Sequence, residues 1–303
     1  MDANVKTKHK LRISRRTALL VFLFFVVLAS SLFYVFMMSG DSSSSLEGVV
    51  HVRSESELVS AVDEAVDSTV IILDNDVTLT GSLVISANKN ITLTSNRATV
   101  FYKLIGAKHE STIIVENKGV LRLGRIVVTH AYDDRGGGVD ISPGGTFVMF
   151  DGAISGNKAY FGGGGVYNRG TFILSGGKIS GNDVYAHPSS RSGGTASYGG
   201  GVYNMGVFRM SGGIISGNTA YCAGGVSNDG TFTMSGGVIY NNKAIVDGGV
   251  YNAAKGTFNW RGGLVFSNSD VIVLICAISL ICIIGFLFLY FKQRENNRKS
   301  LVC

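Results

Sequence analysis

Cysteine is scarce in this chain of 303 residues, and the four present have little scope. Cys276 and Cys282 fall inside an uncharged apolar run and Cys303 is the last residue, so Cys222 is alone between the apolar runs and can form no disulfide within that region. No Cys/His spacing suits a metal, and there is no Walker loop and no Gly-x-Ser-x-Gly elbow. Gly162-Gly-Gly-Gly-Val is not a dinucleotide fingerprint, because no helical pattern follows it. No cofactor or metal is implied. Positive charge is also missing where a nucleic-acid partner would need it. Residues 1–16 carry six Lys/Arg and one acid, and residues 292–303 carry four and one. Residues 39–270 hold 17 basic and 19 acidic side chains, so the formal net charge of +6 belongs to the tails and nucleic acid is excluded as the middle region's partner. Proline occurs twice against 41 glycines, but a hydrophobic content of 46% rules out a disordered glycine linker.

What the chain does contain is a repeated phrase. Gly199-Gly-Gly-Val-Tyr-Asn204 leads through Phe208 and Met210-Ser-Gly-Gly to Ile215 and Asn218, and Gly224-Gly-Val-Ser-Asn228 leads through Phe232 and Met234-Ser-Gly-Gly to Ile239 and Asn242. Val115, Val139, Val166, Val202, Val226 and Val250 act as anchors, at spacings of 24, 27, 36, 24 and 24 residues. Each is followed by a large apolar residue (Leu121, Phe147, Phe172, Phe208, Phe232, Phe258) and then by Ile154, Ile179, Ile215, Ile239 or Val265. Gly-Gly punctuation disfavours helix and permits tight turns. Short strands at a fixed period fit a parallel β-helix in which each repeat is one coil. Like residues should then stack in columns. The aromatic column is expected inside, with Asn168, Asn204, Asn228 and Asn252 at one corner and Asn157, Asn182, Asn218, Asn242 and Asn268 at another.

The phrase GGGVYN-x-GTF-x-MSGG-x-ISGNTA resembles the repeat of right-handed parallel β-helix surface proteins, pectin-lyase-like in fold and adhesin-like in sequence, and more loosely the repeats of polymorphic outer-membrane proteins. The resemblance is clear over residues 136–268 and weaker back to about residue 69. It implies the fold strongly and the function weakly. The expected architecture is all-β: a single-stranded right-handed parallel β-helix of about nine coils over residues 54–268, at about 24 residues each, with an N-terminal capping helix and two flanking transmembrane helices.

The organisation follows in order. Residues 1–16 are a basic tail expected in the cytoplasm. Residues 17–38 are uncharged and long enough to cross a bilayer, as an uncleaved signal anchor or, alternatively, as a cleaved signal peptide. Residues 39–53 are a Ser-rich linker. Ser54-Glu-Ser-Glu57 reads as a capping box before an apolar helical face of Leu58, Ala61, Val62, Ala65 and Val66. Strands are expected at 69–73, 77–80, 83–85, 91–94, 98–102, 112–115, 120–123 and 126–128. Residues 271–291 form a second uncharged run, and 292–303 a second basic tail, which places both ends in the cytoplasm if the first run is retained, and the β-helix outside the cell membrane. Trp260, the single tryptophan, is either an interfacial anchor or a ladder position near Phe258.

Chemistry has two candidate locations. Asp133, Asp134, Arg135 and Asp140, beside His130, are the best carboxylate cluster, and a polysaccharide lyase or glycoside hydrolase would need such a cluster on one face. The coils do not repeat it, since the equivalents of Asp140 are Tyr167, Tyr203, Ser227 and Tyr251. These tyrosines alternate with inward valines and should face outward, where stacked rings can hold a sugar or a protein. Between Val166 and Val202 the period is twelve residues longer than elsewhere, and His187 and Arg191 sit in that excess and are candidate contacts. Asn90-Ile-Thr is a single glycosylation sequon. The balance favours a membrane-anchored, extracytoplasmic, non-catalytic protein that contacts a cell-surface glycan or protein; an envelope-anchored carbohydrate-active enzyme and a purely structural surface component are the alternatives.

Overall fold

The computed structural model describes residues 48–96, 101–130, 136–185 and 198–267. These form a parallel β-solenoid whose turns each pass through three faces. The third face is a seven-stranded sheet running from Leu83–Ile85 to Val250–Asn252, which sets the number of complete turns at seven. The first and second faces are joined into one 15-stranded sheet, because strand Thr231–Tyr240 runs unbroken through the corner between them. Among the described residues there is almost no helix. The expectation of about nine coils divided the chain by the regular period of about 24 residues. The difference is taken up by residues 55–64, which form a helix, by longer early turns, as in the pairing of Leu83 with Ile113, and by the 36-residue turn that pairs Val166 with Val202.

Alternation builds the core. On the first face Thr171–Leu174 is half-buried, buried, half-buried, buried, and Phe147, Phe172, Phe208 and Phe232 pair in register with no exposed surface. Their rings stack at 5.3, 4.8 and 4.5 Å between centroids, close to the rise between neighbouring strands, so each turn places its phenyl flat on the last. The second face stacks Val128, Ile154, Ile179, Ile215 and Ile239, and the third stacks Val139, Val166, Val202 and Val226, all buried. One anchor differs from expectation. Val139 pairs with Ile113, and Val115 belongs to the neighbouring column with Ile85, Ile141 and Asn168. A shift of two residues keeps a side chain pointing inward, so the alternation pattern alone accommodates either register.

The asparagines close the corners. Asn157, Asn182, Asn218 and Asn242 are buried, and the Nδ2 of each of the first three donates to the next Oδ1 at 2.9 Å. The same Oδ1 also accepts the backbone N–H of the preceding asparagine, and each Nδ2 makes a second bond to a strand carbonyl, such as Ile179 O from Asn218. Nearly every polar group of a buried turn is thereby paired. His130 caps this column, with Nδ1 2.9 Å from Asn157 Oδ1 and Nε2 2.9 Å from the Glu110 carbonyl. The second column, Asn168, Asn204, Asn228 and Asn252, is linked in the same way. Asn268 lies outside the described residues. At Gly201 an added Cβ would stand 2.7 Å from the carbonyl oxygen of Gly225 and 2.8 Å from Ile215 Cγ2. Close approach of successive coils is therefore what the Gly-Gly-Val phrase provides at this position.

Helix α1, Glu55–Glu64, starts at Ser54, whose side chain accepts the N–H of Glu57 at 3.3 Å. Glu57 returns a bond to the N–H of Arg53, one residue before the box position. Leu58, Ala61 and Val62 join the solenoid core, while Val66, expected on the same face, lies past the helix end and is 71% exposed. Of the strand expected at 98–102, residues 98–100 lie outside the described residues; a strand runs over Tyr102–Gly106, where Leu104 enters the inward column between Val77 and Val128. Residues 1–47 and 268–303, which include both expected spans and both basic tails, lie outside the described residues. Among the described residues no helix is long and apolar enough to cross a membrane.

Candidate functional site

After each corner asparagine the chain leaves the core before re-entering the third face. Asn157-Lys-Ala-Tyr160, Asn182-Asp-Val-Tyr185 and Asn218-Thr-Ala-Tyr221 are successive versions of this excursion. Lys158–Ala159 pairs with Asp183–Val184, and bridges from Asp183 to Thr219 and from Thr219 to Lys243 continue the ladder. Ala159, Val184 and Ala220 form a small core of their own beneath it. The excursions therefore stack into a ridge beside the outer side of the third face.

A groove of about 500 Å³ lies against this ridge. Tyr160, Phe161 and Tyr185 line it from the ridge, Tyr167 and Tyr203 from the third face, and Glu110 and Lys158 supply opposite charges at its margin. Tyr160 and Phe161 are 52% and 60% exposed and meet edge to face at 4.5 Å; Tyr160 also meets Tyr185 edge to face at 5.4 Å. Tyr167 stacks on Tyr203 at 5.5 Å and Tyr203 on Tyr198 at 5.4 Å. Gly162 permits this, since a Cβ there would stand 2.7 Å from the Tyr203 ring. The hydroxyls are anchored: Tyr203 O–H donates to Asp229 Oδ2 at 2.8 Å, and Tyr167 O–H contacts Met205 Sδ at 3.3 Å. Burial, then the bond to Asp229, pushes the Tyr203 phenol well above the ordinary tyrosine range. Burial also raises Tyr198, Cys222 and Asp183, the last opposed by the charge of Lys158. The result is an aromatic wall joined by ring-to-ring contacts, and its side chains have few rotamers to lose on binding.

The sequence candidates separate in space. Tyr167 and Tyr203 line the groove. Tyr251 is in the same register column, beyond the fully buried Ser227, but does not line it. Asp140 is held by Arg169, whose Nη2 donates to both carboxylate oxygens at 2.9 and 3.1 Å, and that guanidinium also sits 5.1 Å from the centre of the Tyr167 ring. Its carboxylate is thus occupied by a surface pair. Asp133, Asp134, Arg135, His187 and Arg191 lie outside the described residues. Sequence reasoning passed over Phe161, Tyr185, Lys158 and Glu110. A signal for Tyr185 was present, because a tyrosine follows the corner asparagine by three residues in three successive turns. Among the described residues no three His, Cys, Asp or Glu side chains gather as a metal set. Comparison with protein-family models, curated proteins and solved structures finds no match for this chain.

Proposed function

We propose that this is a membrane-anchored, extracytoplasmic β-helix surface protein that contacts a glycan or protein of a cell surface, with the aromatic groove as its contact site. In this reading the solenoid is right-handed and of the pectin-lyase-like, adhesin-like kind, helix α1 seals its N-terminal end, and the apolar runs at 17–38 and 271–291 hold it on the outer side of the cell membrane with both tails in the cytoplasm. The observation that carries the binding function is the convergence of Tyr160, Phe161, Tyr167, Tyr185 and Tyr203 on one groove whose described lining has one carboxylate, Glu110. That carboxylate already accepts bonds from the N–H and hydroxyl of Ser82 at 3.0 and 3.1 Å. Glycoside hydrolysis ordinarily uses two carboxyl groups flanking the bond, whereas stacking of sugar rings needs only exposed aromatic faces. An extended glycan is the ligand that such a groove fits best. Glycan-array binding by the protein, compared with a Tyr160→Ala/Phe161→Ala variant, tests this. The wild type should retain a glycan that the variant binds about ten-fold or more weakly. Equal binding by the two removes the groove from the function.

A further inference from the structure

We infer that the C-terminal turn of the solenoid is a lipid-facing surface that seats the open core end, through Trp260, on the interface of an anionic bilayer. The inward columns lose their cover together at this turn. Phe232 is fully buried and its successor Phe258 only partly; Met234 is fully buried and its register partner Trp260 is 63% exposed. Ile239 gives way to the partly buried Val265, and Val226 to the partly buried Val250. Trp260 thus occupies a core column and faces the surroundings. At the opposite end the corresponding core surface is covered by Leu58, Ala61 and Val62 of α1. A contiguous apolar end of this kind marks a contact surface.

Two observations select lipid as the occupant. The final turn, residues 243–267, carries the exposed Lys243, Lys255 and Arg261 against one exposed acid, Asp247, so the rim around the apolar end is net positive. Tryptophan with flanking cations is the composition of a membrane interface with anionic headgroups, whereas two such ends facing one another in a dimer would repel. The uncharged run 271–291 starts four residues beyond Ser267, a reach of about 14 Å at most. If that run spans the bilayer, as proposed above and on which this inference rests, the final turn is held within about 14 Å of the membrane surface.

The single tryptophan provides the test. Full-length protein is reconstituted into vesicles of phosphatidylcholine and phosphatidylglycerol and floated to establish anchoring, and Trp260 emission is then recorded with lipids brominated high on the acyl chain or near its end. Trp260 emission should shift to the blue and be quenched about two-fold by the shallow bromines and less by the deep ones. A Lys255→Glu/Arg261→Glu variant should lose most of that quenching. Protein that floats while Trp260 keeps water-like, unquenched emission overturns the docking and leaves the anchor standing. Blue-shifted but unquenched emission also overturns it, because protein then covers the end, either the chain's own tail or a second copy. Protein that does not float removes the anchor and the docking together. Unaltered quenching in the double variant removes the two cations from the site.

Discussion

Asn182 Nδ2 donates to Asn218 Oδ1 at 2.9 Å, the same distance at which Asn218 Nδ2 donates to Asn242, although 36 residues separate the first pair and 24 the second. The ladder therefore does not register the extra length. Asp183 bridges to Thr219 and Tyr198 to Cys222, so the fifteen-residue step from Asp183 to Tyr198 matches a three-residue step in the next turn. The twelve-residue excess is confined to 186–197.

Deletion of 186–197 should consequently restore the regular turn, with Tyr185 joined to Tyr198 as Tyr221 is to Cys222. Loop length affects solenoid stability only weakly while the coils still stack. The expected outcome is an unchanged far-UV circular dichroism spectrum and an unfolding midpoint in urea near that of the parent. Loss of the β-signal would show that the segment has a role in folding.

Phe208 and Phe258 share a column but not an environment. Phe208 is fully buried between Phe172 and Phe232, at 4.8 and 4.5 Å, whereas Phe258 is stacked, among the described residues, on Phe232 alone and is only partly buried. Phe208→Ala should cost about 3–5 kcal/mol, as a large side chain removed from a closed core, and Phe258→Ala about half as much or less. Denaturant unfolding of the two variants provides the comparison, and equal losses would contradict an open C-terminal end.

Tyr203 links the groove to alkaline stability. Burial and the Asp229 bond hold its phenol protonated above the ordinary value, while in the unfolded chain it ionises near about 10. A group whose folded pKa is raised contributes its full stability below the unfolded value and loses it as pH rises toward the folded one. Stability of the wild type should therefore fall more steeply above pH 10 or so than that of Tyr203→Phe, which keeps the ring and lacks the titrating hydroxyl. Urea midpoints measured through this range for both proteins decide the point, and parallel curves would show that Tyr203 is not the linked group.

Much of the solenoid was legible residue by residue. The column Phe147, Phe172, Phe208 and Phe232, the two asparagine ladders and the equivalence of Asp140, Tyr167, Tyr203, Ser227 and Tyr251 all stand as the repeat implies. The reason is physical. In a parallel stack each residue's neighbours are its own counterparts one turn away, so local alternation and a repeat suffice to name the contacts. Tertiary structure alone decided what alternation leaves degenerate. A two-residue slip keeps side chains inward, and only strand pairing set Val139 against Ile113 instead of Val115. The groove likewise draws Glu110, Tyr160, Tyr185 and Tyr203 from successive turns of unequal length, and their common wall depends on how the excursions pile against the third face. Trp260 shows the same division: its sequence position left it either an interfacial anchor or a ladder position, and only strand pairing set it against Met234, with nothing described over it.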